Sequence, residues 1–268
     1  MNDFLIKNTG KISLQELYEL KQKGIRQIKI EDKSINEIYD IDTFILIKKK
    51  LLEYIQNIPN ISDDDPNKEK KIFTYLYIKI AQNIIYDEEA TEFAGYVGYA
   101  RDMTENRVSE ANNLIGGLLN GMSICKGYSE ILRNLLSEVG INAIVICGGS
   151  KTMREGTESH AWNQVYLDGK WHNCDITNDV DFIKAGLKLP HFLKSNKDFG
   201  KDDKHRYTKY SPKNPEIVQL ADTTISDEQQ EELIEEQRKN IMNEISIDEN
   251  SNEKKYIKTT GITVMNRL

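Results

Sequence analysis

The sequence predicts a protein of mixed helices and strands, with several helices followed by an antiparallel β-hairpin. Apolar residues recur at helical spacing from Ile72 to Ile84, which is typical of a helix with one buried face. The run INAIVIC (141–147) is short, apolar and rich in β-branched residues, as expected of a buried strand. The dipeptide Asp168-Gly169 stands between two alternating segments, which is the strongest short-range hairpin signal.

Proline content and charge divide the chain into four predicted regions. Residues 1–60 form an N-terminal extension of helices and strands. Residues 61–70 form a linker, because two prolines and a dense run of charged residues lie in or next to this range. Residues 71–215 contain the regular elements and are predicted to be the core. Residues 216–268 are acidic and form a helical C-terminal extension.

Other elements follow from the same periodicities and from glycines at helix ends. These predicted elements are a short helix with Leu14, Leu17, Tyr18 and Leu20 that ends at Gly24, a strand at IRQIKI (25–30), a helix over 41–56, one helix that includes Val108, Ala111, Ile115 and Leu118, and a helix over 124–139 that ends at Gly140.

A capping box predicts that a helix begins in the C-terminal extension, near Ser226. Ser226 and Gln229 have the spacing at which each side chain caps the other residue's backbone. Ile234, Ile241 and Ile245 then form a narrow apolar stripe. We expect this stripe to pack on the core or to bind a protein partner.

Composition limits the function classes. The net charge of −7, from 36 basic and 43 acidic residues, argues against a nucleic-acid partner. Neither a signal peptide nor an apolar run long enough for a membrane span is visible, so a cytoplasmic location is the default expectation, although export without a classical signal would leave no trace. Three widely spaced cysteines do not form a disulfide framework.

We expect no metal or other cofactor. The cysteines and histidines lack the short paired spacings of zinc ligands. An EF-hand loop starting at Asp63 would need glycine and glutamate where Lys68 and Thr74 stand. His191 and His205 lie in polar, lysine-rich sequence and are predicted to be surface residues.

The hairpin distinguishes between two histidines. A two-residue loop pairs Leu167 with Lys170, so that paired residue numbers add to 337. Side chains alternate between faces along a strand, and directly paired residues share a face. His160 is therefore predicted to lie opposite Thr177, and Trp162 opposite Asp175. This pairing makes His160 and Asp175 diagonal neighbours on one face, whereas His172 points to the other face.

Cys125 differs from the other two cysteines in its surroundings. It follows a polar, glycine-containing loop and opens a helix, where free N–H groups and the helix dipole favour a thiolate. Cys147 and Cys174 lie in apolar strand sequence and are predicted to be small buried residues. With a histidine and an aspartate downstream, Cys125 is a candidate nucleophile, His160 its base, and Asp175 the carboxylate that orients the base.

At these residues the chain resembles the transglutaminase-like superfamily, a papain-related group that includes transglutaminases and bacterial cysteine proteases. The similar segments are LLNGMSICKGYS, EVGINAIVICGG and HAWNQVYLDGKWHNCDITND, within about residues 71–180. The resemblance implies an α+β fold with the nucleophile helix packed on an antiparallel sheet. It also implies catalytic roles for Cys125, His160 and Asp175. Lys126 stands where the family commonly has glutamine, which leaves substrate preference open.

The expected chemistry is acyl transfer through a thioester on a peptide or carboxamide substrate. We favour hydrolysis, as in a protease or amidase, because no calcium site is evident and the core is compact. Transglutaminase-type cross-linking or deamidation and a non-catalytic interaction module remain alternatives. The Cys125 N–H is one candidate oxyanion donor, and the second is one of Tyr86, Tyr96, Tyr99 and Trp162. Trp162 could equally be a packing residue.

Overall fold

The structure, a computed structural model, describes residues 3–31, 36–95, 104–151, 157–201 and 209–260. In this part of the chain the helices are α1 (Leu14–Gln22), α2 (Ile41–Gln56), α3 (Lys68–Asn83), α4 (Glu88–Gly95), α5 (Thr104–Ala111), α6 (Leu114–Leu119), α7 (Cys125–Glu138), α8 (Ile176–Ala185) and α9 (Asp227–Thr260). The strands are β1 (Asp3–Ile6), β2 (Gln27–Glu31), β3 (Asn36–Asp40), β4 (Ile85–Tyr86), β5 (Met122–Ser123), β6 (Ala143–Lys151), β7 (Thr157–Leu167), β8 (Lys170–Cys174) and β9 (Lys209–Pro212).

The main sheet has the strand order β8-β7-β6-β9, and all of its neighbouring strands are antiparallel. Helix α7 packs against β6 and β7. Asn163 of β7 helps to hold this packing, because its Nδ2 donates to the Ser129 carbonyl of α7 at 2.9 Å. The α+β fold with a helix on an antiparallel sheet is therefore confirmed.

The N-terminal residues form a separate three-stranded sheet in the order β1-β2-β3, with β1 and β2 parallel. Its buried side chains, such as Ile28 and Ile30, join the same apolar cluster as the side chains of α3 and α7. The predicted helices ending near Gly24 and covering 41–56 are both confirmed by α1 and α2.

Helix α3 lies at the centre of the molecule. The predicted stripe is buried at Leu76, Ile80 and Ile84, but Phe73 and Tyr77 on other faces are fully buried too. These faces are covered because α7, α8 and α9 all pack on α3. Long-range packing therefore buries more of this helix than its own periodicity indicates.

The predicted single helix through Val108 and Leu118 is wrong, because the structure contains two helices, α5 and α6. Asn113 separates them in an extended conformation, and its side chain accepts a hydrogen bond from the Ile115 N–H at 2.8 Å. Asparagine is a preferred N-cap, so the chain ends one helix and caps the next at this residue.

The C-terminal helix α9 packs on α3 of the core, which was one of the two predicted alternatives for this helix; the other was binding to a protein partner. Ile234 and Ile241 are buried, whereas the side chain of Ile245 lies outside the described residues. Ser226 and Gln229 form the predicted capping box, with hydrogen bonds of 3.3 and 3.2 Å. No helix in the described ranges is both long and apolar enough to cross a bilayer.

Candidate active site

Cys125 is the first residue of α7, and the chain leading to it is held on two sides. Strand β5 pairs in parallel with β4, so that Ser123 lies beside Tyr86. The Ile124 N–H and the Ser123 hydroxyl both donate to the Ala111 carbonyl, at 3.0 and 2.9 Å. Cys125 therefore starts its helix from a fixed turn, with the first-turn N–H groups free of partners within the helix.

Replacing Gly127 with alanine is expected to disturb this turn. A Cβ atom at Gly127 would lie 2.1 Å from the Ser123 Oγ and 2.4 Å from the Ala111 carbonyl oxygen. The backbone would have to move, and we expect a loss of about 1–3 kcal/mol in the free energy of unfolding. Urea denaturation measures this loss, and Ser129→Ala, which adds no atoms to the same buried helix, is the control. Equal stability of the two variants would contradict the tight turn.

His160 lies on β7 opposite Gly148 of β6, and its ring links Cys125 with Asp175. The His160 Nε2 is 2.7 Å from the Asp175 Oδ2, and the Cys125 side chain lies near enough to the same imidazole to affect its charge. Because Asp175 occupies Nε2, Nδ1 is the ring nitrogen left for the sulfur. The predicted contact between His160 and Asp175 is confirmed.

The electrostatics of this buried pair favour its charged form. Burial disfavours the imidazolium, but the charge and hydrogen bond of Asp175, together with Cys125, outweigh burial and raise the pKa of His160 to about 10. Burial likewise opposes ionisation of Asp175, yet the His160 charge and hydrogen bond lower its pKa to about 2. The pair therefore remains an ion pair across the neutral range.

Asp175 reaches His160 in a different way from the prediction. The register is correct, because Leu167 pairs with Lys170 through a turn in which Asp168 and Gly169 have positive φ. The ladder ends, however, at the pair Asn163–Cys174. Asp175 is the N-cap of α8, and Thr177 lies within that helix, so the predicted strand pairing of both residues is wrong.

The carboxylate of Asp175 serves a helix and a histidine at once. Its Oδ1 accepts from the Asn178 N–H at 3.2 Å, which caps α8. Its Oδ2 accepts from the Asn178 Nδ2 at 2.8 Å and from the Tyr210 hydroxyl at 2.7 Å, in addition to His160. The contact with Asn178 was not predicted from the sequence, although an aspartate with a polar residue three positions later is a recognisable helix start.

Behind this carboxylate lies a second pair, and it overturns the prediction that His191 is a surface residue. His191 is buried, and its Nδ1 is 3.1 Å from the Asp179 Oδ1. The Tyr77 hydroxyl donates to the other oxygen of Asp179 at 2.9 Å. Asp179 follows Asp175 by one helical turn, and its burial, only partly offset by His191, raises its pKa. His205 lies outside the described residues.

Tyr86 and Trp162 occupy different surroundings. The Tyr86 hydroxyl accepts from the Thr91 hydroxyl at 3.0 Å, and burial raises the pKa of Tyr86 to about 12, with a contribution from nearby Cys125. Tyr86 thus keeps a proton to donate. Trp162 is 3% exposed and stacks on the His160 ring at 6.4 Å between centroids, which favours the packing role. Tyr96 and Tyr99 lie outside the described residues.

The other two cysteines and His172 lie on the strands that flank β7. Cys174 is fully buried, as predicted, and the His172 Nδ1 is 3.1 Å from the Thr223 carbonyl. Cys147 is only partly buried, unlike the prediction, because it lies on β6 near the end where β9 joins the sheet. Within the described ranges, no group of three or more His, Cys, Asp or Glu side chains is placed to hold a metal ion.

Lys126, directly after Cys125, belongs to an ionic cluster. It pairs with Glu37 of β3 and lies 3.1 Å from Glu130 of its own helix. Burial raises the pKa of Glu130 to about 7, although Lys126 partly opposes this shift. Lys126 therefore connects the N-terminal sheet with α7.

The fold agrees with a comparison against protein families. Residues 56–176 match the model of the Transglutaminase-like superfamily. Over these residues the chain is similar to that superfamily, which includes cysteine proteases and acyltransferases.

Similarities to individual proteins are more distant. The Kyphoscoliosis peptidase of Mus musculus is 24% identical over 140 residues, which cover 50% of this chain and 19% of that protein. The Kyphoscoliosis peptidase of Homo sapiens is 33% identical over 60 residues, 20% of this chain and 9% of that protein. A solved TGase is 20% identical with a TM-score of 0.36, and the match covers 62% of this chain and 48% of that one. The chain thus spans about a fifth or less of the curated relatives' length.

Proposed function

We propose that the protein is a cysteine-dependent hydrolase of peptide or carboxamide bonds, with Cys125 as nucleophile, His160 as general base and acid, and Asp175 as the orienting carboxylate. The single observation that carries the proposal is the position of His160, whose ring hydrogen-bonds to Asp175 at 2.7 Å and lies near Cys125 at the start of α7. The order and roles are those of a thiol-dependent acyl-transfer site.

The reaction begins from the thiolate–imidazolium pair. The Cys125 sulfur attacks the carbonyl carbon, and a C–S bond forms. His160 transfers its proton to the leaving nitrogen as the C–N bond breaks, which leaves a thioester. Water then attacks the thioester while His160 accepts its proton, and the acid and the thiolate are released. Asp175 stabilises each imidazolium stage because its own charge persists at neutral pH.

The oxyanion of each tetrahedral intermediate needs donors close to Cys125. We assign one to the Cys125 backbone N–H and the other to the Tyr86 hydroxyl. Tyr86 suits this role because its strand pairs with the strand that precedes Cys125, and because its hydroxyl remains protonated. In this proposal residues 71–215 hold the reacting groups, and 1–60 and 216–268 support them.

Replacing Cys125 with alanine tests the proposal. The substrates are glutamine-containing peptides, with and without an added primary amine, and the products are new peptide ends, released ammonia and incorporated amine. We expect new ends or ammonia from the wild type, and a loss of about a thousandfold or more in Cys125→Ala because no other thiol contacts His160 in the described site. Cys147→Ala, at the partly buried cysteine of β6, is the matched control and should retain activity.

Each product identifies a different outcome. Amine incorporation without hydrolysis would indicate a transglutaminase instead of a hydrolase. Wild-type turnover that persists in Cys125→Ala would overturn the proposal. An unreactive Cys125 thiol together with no turnover would favour the non-catalytic interaction module.

A further inference from the structure

The Asp175 carboxylate has one partner that is remote in sequence. Two of the three donors to its Oδ2 come from nearby elements, namely His160 on β7 and Asn178 on α8. The third is the Tyr210 hydroxyl, at 2.7 Å, from β9 at the far edge of the sheet. Tyr210 therefore reaches across β6 and β7 to contact a carboxylate that follows β8.

The Tyr210 ring is held firmly in place. It stacks on Phe199 at 4.0 Å between centroids and contacts Trp162 at 5.0 Å. The rings of His160 and His191 each lie 6.1 Å away. Burial and the charge of Asp175 raise the pKa of Tyr210 well above its ordinary value, so the hydroxyl stays protonated and donates.

The strand that carries Tyr210 depends on a close approach to β6. Strand β9 pairs with β6 so that Tyr210 lies opposite Ser150 and Pro212 opposite Gly148. A Cβ atom at Gly148 would lie 2.1 Å from the Ser211 carbonyl oxygen, so only glycine allows this approach. Gly148 also faces His160 on its other side, which places β9 at the site.

We propose that Tyr210 is a positioning residue that holds the Asp175 carboxylate, and through it the His160 ring, in the orientation that turns Nδ1 toward Cys125. This inference rests on the proposed function, in which Cys125 is the nucleophile. Asn178, from the same helix turn as Asp175, donates to both carboxylate oxygens, and its Nδ2 also donates to the Tyr210 hydroxyl at 3.1 Å. Tyr210 adds a donor from the opposite edge of the sheet, so that the carboxylate is fixed relative to the sheet as well as to its own helix.

Replacing Tyr210 with phenylalanine removes the hydroxyl and keeps the packed ring. We expect the His160 titration, followed by NMR, to move down by about one pH unit, because a misaligned carboxylate favours the imidazolium less. We also expect iodoacetamide to alkylate Cys125 about tenfold more slowly at neutral pH, since fewer molecules hold the ring toward the sulfur.

Tyr77→Phe is the matched control. It also removes a buried tyrosine hydroxyl from a buried carboxylate, but that carboxylate is Asp179 and not Asp175. A comparable change in thermal unfolding temperature is expected in both variants, whereas only Tyr210→Phe should alter the His160 titration and Cys125 alkylation.

The outcomes separate this inference from the proposed function. A His160 titration in Tyr210→Phe that is unchanged or higher would overturn the positioning role, whatever the protein's activity. A lowered titration together with slower alkylation supports it. The NMR titration measures the His160 ring itself and does not depend on a substrate. An absence of substrate turnover in the wild type would therefore contradict the proposed hydrolase but not the positioning role of Tyr210.

Discussion

Replacing Asp175 with asparagine is expected to slow acylation of Cys125 by about 10³- to 10⁴-fold. The carboxylate uses one oxygen to cap α8 and the other to accept from His160, Asn178 and Tyr210. An asparagine has a single amide oxygen and cannot satisfy both sets of donors. If its NH₂ faces His160, Nε2 must become the acceptor, and the ring presents a protonated Nδ1 to the sulfur.

The same substitution changes the titration of His160. In the wild type the raised pKa of His160 adds stability that is present below about pH 6.5 and lost as the pH rises through about 10. Without the charge of Asp175, burial remains as the largest influence and disfavours the imidazolium. We therefore expect the pKa of His160 to fall to its ordinary value or below, and this added stability to disappear.

Alkylation kinetics of Cys125 and the NMR titration of His160 measure these two effects. Asp179→Asn is the matched control, because Asp179 is the neighbouring buried carboxylate and pairs with His191. It should lower stability while leaving Cys125 alkylation within a few-fold of wild type. Similar alkylation rates in the two variants would show that Asp175 has no special relation to His160.

Replacing Glu138 with alanine is expected to lower the free energy of unfolding by about 3–5 kcal/mol. Glu138, at the end of α7, pairs with Lys48 of α2, and the two side chains are only 5% and 4% exposed. The Lys48 Nζ also donates to the Thr9 carbonyl at 2.9 Å. Without Glu138, the buried ammonium group of Lys48 loses its carboxylate partner and keeps the Thr9 carbonyl as an acceptor.

Urea denaturation at neutral pH measures this loss. Glu53→Ala, which breaks the exposed pair of Lys50 and Glu53, is the control and should cost about 1 kcal/mol or less. The double variant Lys48→Met with Glu138→Leu should be more stable than Glu138→Ala, because both buried charges are removed together. A loss in Glu138→Ala no larger than in Glu53→Ala would contradict the burial of the pair.

Local sequence signals were sufficient for most of the fold. Helix α2 has the predicted bounds, and the hairpin register at Asp168-Gly169 is as predicted. These elements depend on periodicity and turn chemistry, which act over a few residues. The register also identified His160, and not His172, as the partner of Asp175.

The parts that the sequence did not predict depend on long-range contacts or on a competing local signal. Tyr210 reaches Asp175 only because β9 pairs with β6, and nothing near residue 210 indicates that pairing. His191 is buried because it pairs with Asp179 of α8, and Asp179 in turn accepts from the Tyr77 hydroxyl, 102 residues away in sequence. The alternating pattern predicts that the strand continues past Asp175. Aspartate is, however, a preferred N-cap, and in the structure Asp175 begins α8 instead of pairing with β7.

The double use of the Asp175 carboxylate constrains which residues position 175 can tolerate. Its Oδ1 anchors the start of α8, and its Oδ2 faces His160. In the proposed hydrolase, a substitution at Asp175 that abolishes the reaction therefore also weakens the beginning of a helix that packs on α3 and α7. The same two oxygen atoms would then serve both folding and the proposed reaction, so the helix cap alone would disfavour substitution of Asp175 even in a relative without the activity.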